Sequence, residues 1–444
     1  MQTPSTLDRF NSWARNSVSL KLVAIGFLIL ILIIPSTMID TLIYERMNLR
    51  DEATEEVSSK WGGRQALGGP VLTIPYYTYV KNDKGQTETQ LAYAHFLPDN
   101  LQIEGQLSPE KRYRGIYVVV LYNAKLKVKG RFDALNFDAL PLGKESLRLQ
   151  DAFLSFQVTD MKGIRENIKA SIGGKDYNFE PGISSPDIFE SGISIPFPIT
   201  DNPIGEFAFT IDLNGSSEIN FLPFGKETQV SLSSNLGNPS FDGAFLPDNR
   251  SVTEQGFTAK WRVLQLNRNY PQQGIGNFIG NASSFGVKLK LPVDEYQKTT
   301  RSAKYCIMFI ILTFLTFFFV EILNKKRIHA IQYLLVGFAI TLFYILLLSM
   351  SEHISFDLSY WVAAGIILLM VTFYAKSIFQ SNFLTGLTFS ILGILYAFFY
   401  SLLQLQDYAL LMGSFGLLFI LAIIMYLTRK IDWYAFSTDD STKE

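Results

Sequence analysis

Histidine and cysteine are nearly missing from this chain: its 444 residues hold three histidines and one cysteine. The cysteine, Cys306, falls in an apolar run, so the polar middle of the chain can form neither a disulfide nor a thiolate metal site. Charge of either sign is in no excess, with 39 basic against 40 acidic residues. A protein that tracks phosphates shows a basic excess or stripe, so no nucleic-acid partner is expected. Short catalytic signatures are missing too: there is no G-x-S-x-G, no H-E-x-x-H, no Walker loop and no convincing dinucleotide fingerprint.

The histidines, His95, His329 and His353, do not make up for this. If the apolar run between the last two is one helix, a rise of 1.5 Å per residue holds them roughly 36 Å apart, too far to share an ion. Ser349 and His353 have the four-residue spacing of some intramembrane zinc hydrolases, but those need further histidines from another helix, and none remains. No catalytic residue, metal or cofactor is expected.

What the chain has in abundance is apolar sequence, gathered at its two ends. A bilayer core of about 30 Å needs roughly 20 apolar residues of helix, and six stretches qualify. The first, Leu20 to Ile43, is read as an uncleaved anchor, because it lacks a small-x-small cleavage site and continues past Pro35. The other five run over about 305–323, 330–350, 356–375, 384–403 and 408–427 and form a helical bundle within 301–430.

Basic residues fix the expected orientation. Arg9, Arg15 and Lys21 precede the first span, "NKKRIH" joins the second and third, Lys376 lies between the fourth and fifth, and Arg429 and Lys430 follow the sixth. These alternate, so the ends 1–19 and 431–444 are expected in the cytoplasm and the block 44–300 on the outer side of the membrane.

That block alternates with period two. In "EFAFTIDLNG", Phe207, Phe209, Ile211 and Leu213 alternate with smaller or polar residues, and "AKLKVKGRF" sets Ala124, Leu126 and Val128 against Lys125, Lys127 and Lys129. Half-buried strands in antiparallel, sandwich-like sheets are expected, preceded at 44–60 by an amphipathic helical stalk. "FLPDN" occurs at Phe96 to Asn100 and again at Phe245 to Asn249. An internal duplication accounts for this, and so does the plain aptitude of Pro-Asp-Asn for ending strands.

Polar residues at the span ends are the candidate sites. Glu352, His353 and Asp357 interrupt two apolar stretches, and counting places them at the outer interface, where a charge costs little. Arg301, Lys304, Gln404 and Asp407 share that depth, giving an expected outer polar ring. Ion pairs that merely seat the outer domain are one reading, and a coupling site in which His353 titrates near neutrality is the other. On the inner side Glu321 can reach Lys325 at i+4, with His329 and Gln332 returning to similar depth, which reads as anchoring.

The segments "LIIPSTMIDTLIYERMNLRDEATEEVSSKWGGRQALGGPVLTIPY", "KRYRGIYVVVLYNAKLKVKGRF" and "FGVKLKLPVDEYQKTTRSAKYCIMFIILTFLTFFFVEI" closely resemble the CreD family of bacterial inner-membrane proteins. "IHAIQYLLVGFAITLFYILLLSMSEHISFDLSYW" and "DYALLMGSFGLL" resemble it equally, so the likeness runs through nearly the whole chain and fades only over 140–220. The resemblance implies a cell-envelope integrity protein of Gram-negative bacteria, linked in the family to colicin tolerance and in some members to β-lactam or envelope stress. It implies no established reaction and no known catalytic residues. The expected partners are the lipid bilayer, an unidentified periplasmic or envelope component and a second copy of the chain. The expected activity is non-enzymatic. A transporter or lipid-handling channel is the alternative, followed by an envelope-modifying enzyme.

Overall fold

The computed structural model describes residues 18–81, 86–142, 146–200, 203–279, 283–289, 295–324, 326–405 and 408–429. Two compact units divide the chain, one built from 1–49 and 293–444 and the other from 50–292. Six helices among the described residues are long and apolar enough to cross a membrane, one before and five after a large sheet-built unit. The protein is therefore of the α plus β membrane class.

The first helix, α1 (Val18–Trp61), is one continuous element that includes the stretch expected as a stalk. It keeps Pro35 inside it, which a transmembrane helix tolerates better than a soluble one because neighbouring groups can re-satisfy the carbonyl that the missing N–H leaves free. The units part after Leu49, so residues 44–49 belong with the bundle.

The bundle unit continues with α2 (Glu295–Lys304), a short polar helix, then α3 (Cys306–Leu323), α4 (Ala330–Ser351), α5 (Phe356–Phe379), α6 (Asn382–Gln404) and α7 (Ala409–Thr428). Leu28, Leu32, Ile39 and Ile43 of α1 share one core with Phe309 and Phe314 of α3, Ile340 and Phe343 of α4, Tyr360 of α5 and Tyr396 of α6. Gly337 sets the approach of α1 to α4: a Cβ there would lie 2.2 Å from Leu32 Cδ1. No residue of α7 is buried, and its Gly416 lies against Phe398 of α6.

The other unit is a sandwich of two sheets. The first holds β1 (Gln65–Lys81), β2 (Thr87–Phe96), β5 (Phe153–Val158), β8 (Glu180–Pro181), β9 (Gly192–Pro196), β11 (Glu218–Phe221), β13 (Pro239–Gly243), β16 (Gln273–Ile275) and β17 (Phe285–Leu289). The second holds β3 (Asn100–Arg114), β4 (Tyr117–Phe132), β6 (Lys169–Ile172), β7 (Lys175–Asn178), β10 (Gly205–Ser216), β12 (Glu227–Ser234), β14 (Asn249–Thr253) and β15 (Gly256–Leu264), in the order β14-β15-β12-β3-β4-β10-β6-β7.

Antiparallel sheets were the expectation from alternation, and the sheets are mixed. β11 lies parallel to β1, with Gln65 opposite Ile219, and β12 parallel to β3, with Ile103 opposite Val230. Alternation reports only that one face is buried; direction is set by the connections, and these parallel partners are joined by long ones.

The second sheet alternates over most of its length, apart from a continuously buried stretch Val119 to Tyr122 in β4. Leu126 and Val128 of β4 and Phe209 and Ile211 of β10 point into the sandwich, and the residues between them face outward. The first sheet does not, because β1 is buried continuously from Leu67 through Tyr76. Its second face is covered by a smaller cluster containing Val71, Leu97, Phe189, Phe224, Tyr270 and Ile279. Burial on both faces erases the polar phase of the pattern.

The repeated pentapeptide turns the same corner twice. Phe96 to Asn100 carries the chain from β2 in the first sheet to β3 in the second, and Phe245 to Asn249 carries it from β13 to β14. In both, the aspartate fixes a neighbouring strand end: Asp99 accepts from the backbone of Asp133 at 2.8 Å and Asp248 from that of Arg262 at 2.7 Å. The leucines differ, Leu97 being buried and Leu246 68% exposed.

Candidate functional site

At one end of the bundle a polar cluster forms around the turn joining α4 to α5. Helix α4 ends at Ser351, and the next residue, Glu352, turns its carboxylate inward until its side chain is only 8% exposed. Two groups meet it: Arg46 of α1 at 3.7 Å and the Tyr296 hydroxyl of α2, which donates at 3.0 Å. Asp357 stands in the first turn of α5, where the helix dipole favours a carboxylate. It lies 3.7 Å from Lys298 of α2 and accepts a hydrogen bond from the Gln404 amide at the end of α6. Arg301 completes the arrangement by donating at 2.8 Å to the carbonyl of Leu405, the residue that caps α6. A guanidinium is favoured there because the last carbonyls of a helix carry partial negative charge.

Of the expected outer ring, Arg301, Glu352, Asp357 and Gln404 are thus engaged in contacts at this lip. His353 and Lys304 are exposed, and their side chains make no hydrogen bond or ion pair among the described residues. Asp407 lies outside the described residues. Three participants were not anticipated. Arg46 was assigned to the stalk, and Tyr296 and Lys298 to the outer block; the polar run "EYQKTTRSAK" just before an apolar span was the available signal.

At the other end of the bundle Glu321 is 2% exposed and its carboxylate is fully engaged. Lys21 of α1 reaches it at 2.6 Å, the Tyr333 hydroxyl of α4 donates at 2.9 Å, and the backbone N–H of Ile328 donates at 3.1 Å. Lys325, the expected partner, lies outside the described residues. His329 and Gln332 do something else: they form a capping box at the start of α4. The His329 Nδ1 accepts from the N–H of Ile331 at 3.3 Å, and the Gln332 side chain accepts from the N–H of His329 at 2.8 Å.

The sheet unit holds a buried polar trio to which the sequence assigned no role. His95 of β2 and Thr73 of β1 are cross-strand neighbours on the covered face of the first sheet, 1% and 2% exposed. The Thr73 hydroxyl lies 2.9 Å from His95 Nδ1, and Asp187 lies 3.2 Å from Nε2. With Asp187 ionised, Nε2 carries the proton and Nδ1 accepts from the threonine. Phe278 stacks on the ring and Tyr93 lies beside it. The order hydroxyl, imidazole, carboxylate resembles a nucleophile triad, yet a hydroxyl this buried meets no substrate. Its effect is to fasten the segment around Asp187 onto the sheet.

Burial pushes the His95 pKa below the ordinary histidine value, and the pull of the Asp187 carboxylate only partly offsets this. A depressed histidine contributes stability that is present above the unfolded value of 6.5 and is lost as pH falls through the lower folded value. The melting temperature of the sheet unit, followed in the full chain, should therefore drop between pH 7 and 5. His95→Gln should flatten the wild-type slope in that window while lowering the value at pH 7.5. Parallel profiles would remove His95 as the cause.

The sequence model of the family described as Inner membrane protein CreD matches residues 17–434. The chain is 34% identical over 419 residues to the Inner membrane protein CreD of Escherichia coli strain K12, covering 92% of each. Among solved structures, an M1 zinc metallopeptidase from Deinococcus radiodurans aligns with 44% of this chain and 42% of its own at 7% identity and a TM-score of 0.20. A likeness at that score is no guide to fold or chemistry.

Proposed function

The chain belongs to the CreD family of multi-pass inner-membrane proteins, and from that premise we propose that it maintains cell-envelope integrity from the inner membrane. In this reading both termini are cytoplasmic, and the sheet unit is periplasmic and engages an envelope component. The bundle is its membrane receiver, and the role is one of tolerance to colicins, β-lactams or related envelope stress.

One observation carries the reading. Both connections that lead from the bundle toward the sheet unit are tied to one turn: α1 through Arg46 to Glu352, and α2 through Tyr296 to Glu352 and through Lys298 to Asp357. A force on either connection is felt at the α4–α5 turn, and a rearrangement of that turn is felt by both. Such shared contacts are the physical requirement for coupling, since a ligand shifts a bundle only through groups whose bonding differs between two states.

The double change Glu352→Gln and Asp357→Asn keeps shape and removes both charges. In a strain lacking the native chain, it should abolish most of the tolerance to an envelope challenge that the wild-type chain restores, at unchanged abundance in the membrane. Full tolerance from this variant would show that the lip only anchors.

A further inference from the structure

Around the middle of the second sheet the outward face is hydrophilic. Over Asn100 to Arg114 of β3, Asn123 to Arg131 of β4, Glu206 to Ser216 of β10 and Glu227 to Ser233 of β12, every outward position but Ala208 carries a polar side chain; earlier along β4, Val119 and Leu121 share the outward phase and are buried. Along the last part of β4 the outward residues are Lys125, Lys127, Lys129 and Arg131, one cation at every second position, so neighbours stand about 7 Å apart. Arg131 pairs with Asp133 at 3.2 Å, but Lys125, Lys127 and Lys129 form no ion pair among the described residues. Their cross-strand neighbours include two acids. Glu104 stands opposite Lys127, and Asp212, opposite Lys125, is engaged by Arg165 at 3.6 Å and by the Asn123 amide at 2.5 Å.

Beside the stripe the sheet dips. Ala208 and Thr210 of β10 and Ser171 of β6 form the floor of a depression of about 450 Å³, walled by Lys127 and Lys129 on one side and Lys169 on the other. Carboxylates stand at its rim, notably Glu166 and Asp176.

We propose that this face binds an acidic polysaccharide laid along β4. Lys125, Lys127 and Lys129 meet its anionic groups, and the depression over Ala208 holds a sugar ring. The inference rests on the periplasmic reading of the sheet unit and names the class of envelope component it takes. Charge complementarity argues for an anionic partner, and the regular spacing along an extended strand for a linear one. A protein partner needs aromatic or aliphatic anchors at the centre of its contact, and the surface around the lysine stripe offers none among the described residues. Hydroxyl and carboxylate groups beside the lysines instead suit sugar hydroxyls, which donate and accept in equal measure.

The test uses the full chain in detergent micelles and fluorescent polygalacturonate oligomers, with neutral dextran and polyglutamate as comparisons. Replacing Lys125, Lys127 and Lys129 together by Gln should weaken polygalacturonate binding on the order of 10- to 100-fold, a few-fold per lysine, and reduce its salt dependence. Glu104→Gln, which removes a facing acid, should tighten it. These positions are exposed, so the variants should retain the wild-type melting profile. Dextran bound as tightly as polygalacturonate, or an unweakened triple variant, would overturn the proposal; polyglutamate bound more tightly would replace it with an acidic protein partner. A cysteine introduced at exposed Ser171, labelled in cells by a reagent that reaches only the periplasm, separates the two levels. Labelling without polysaccharide binding removes the inference alone, whereas no labelling removes the periplasmic reading beneath it.

Discussion

Replacing Trp261 by alanine should destabilise the sheet unit by about 3–5 kcal/mol, the range for deleting a large buried aromatic. Trp261 is 2% exposed on β15 of the second sheet, and its indole packs between Phe241 of β13 and Phe285 of β17, both of the first, with ring centres at 5.7 and 5.8 Å. Its N–H donates at 3.2 Å to the carbonyl of Phe245, which opens the second sheet-crossing corner. Alanine therefore removes a bridge between the sheets and leaves that carbonyl without its donor. Trp261→Phe keeps an aromatic ring but loses the hydrogen bond and part of the indole's volume, so an intermediate loss of about 1–3 kcal/mol is expected. Thermal unfolding of the full chain in detergent, with protease cleavage within the sheet unit as a second readout, should rank wild type above Trp261→Phe above Trp261→Ala. Equal stability of the two variants would mean that packing between the sheets does not depend on this side chain.

The same contrast between the sheets explains what could be read beforehand. Strands β4 and β10 were legible because each buries one face, and "AKLKVKGRF" prints that fact residue by residue. "ALGGPVLTIPY" in β1 carries no such phase, because Thr73 and Val71 are as buried as Leu72 and Ile74. A segment from elsewhere in the chain covers them, and nothing local announces it. His95 was invisible as part of a trio for the same reason: Asp187 is 92 residues away, and Thr73 becomes its neighbour only through the register of β1 with β2.

The spans were legible from length and hydropathy, and so was the presence of acids at their ends. Which acid mattered was not. His353 drew attention because histidine titrates near neutrality, but beyond the end of α4 at Ser351 adjacent side chains point apart, and Glu352 turns in while His353 turns out. Arg46 and Lys21 escaped because a helix at the start of the chain packs against helices that come hundreds of residues later, beyond any local pattern.

Lys21 gives the sharpest test of that packing. Lys21→Leu should lower stability by about 3 kcal/mol, because it leaves the Glu321 carboxylate buried without a cation. The low end of the range applies, since Lys21 is 31% exposed and Glu321 keeps the Tyr333 hydroxyl and the Ile328 N–H. The double variant Lys21→Leu with Glu321→Gln should recover most of the loss: the neutral amide retains an acceptor for Tyr333 and Ile328 and needs no counter-charge. Glu321→Gln alone should be damaging to a lesser extent, because Lys21 can turn its ammonium toward the polar boundary of the membrane. A melting series of the four chains forms a double-mutant cycle, and a positive coupling between the two positions is the expected result. Additive effects would show that Lys21 and Glu321 are held near one another by the packing of α1, α3 and α4 and contribute nothing to it themselves.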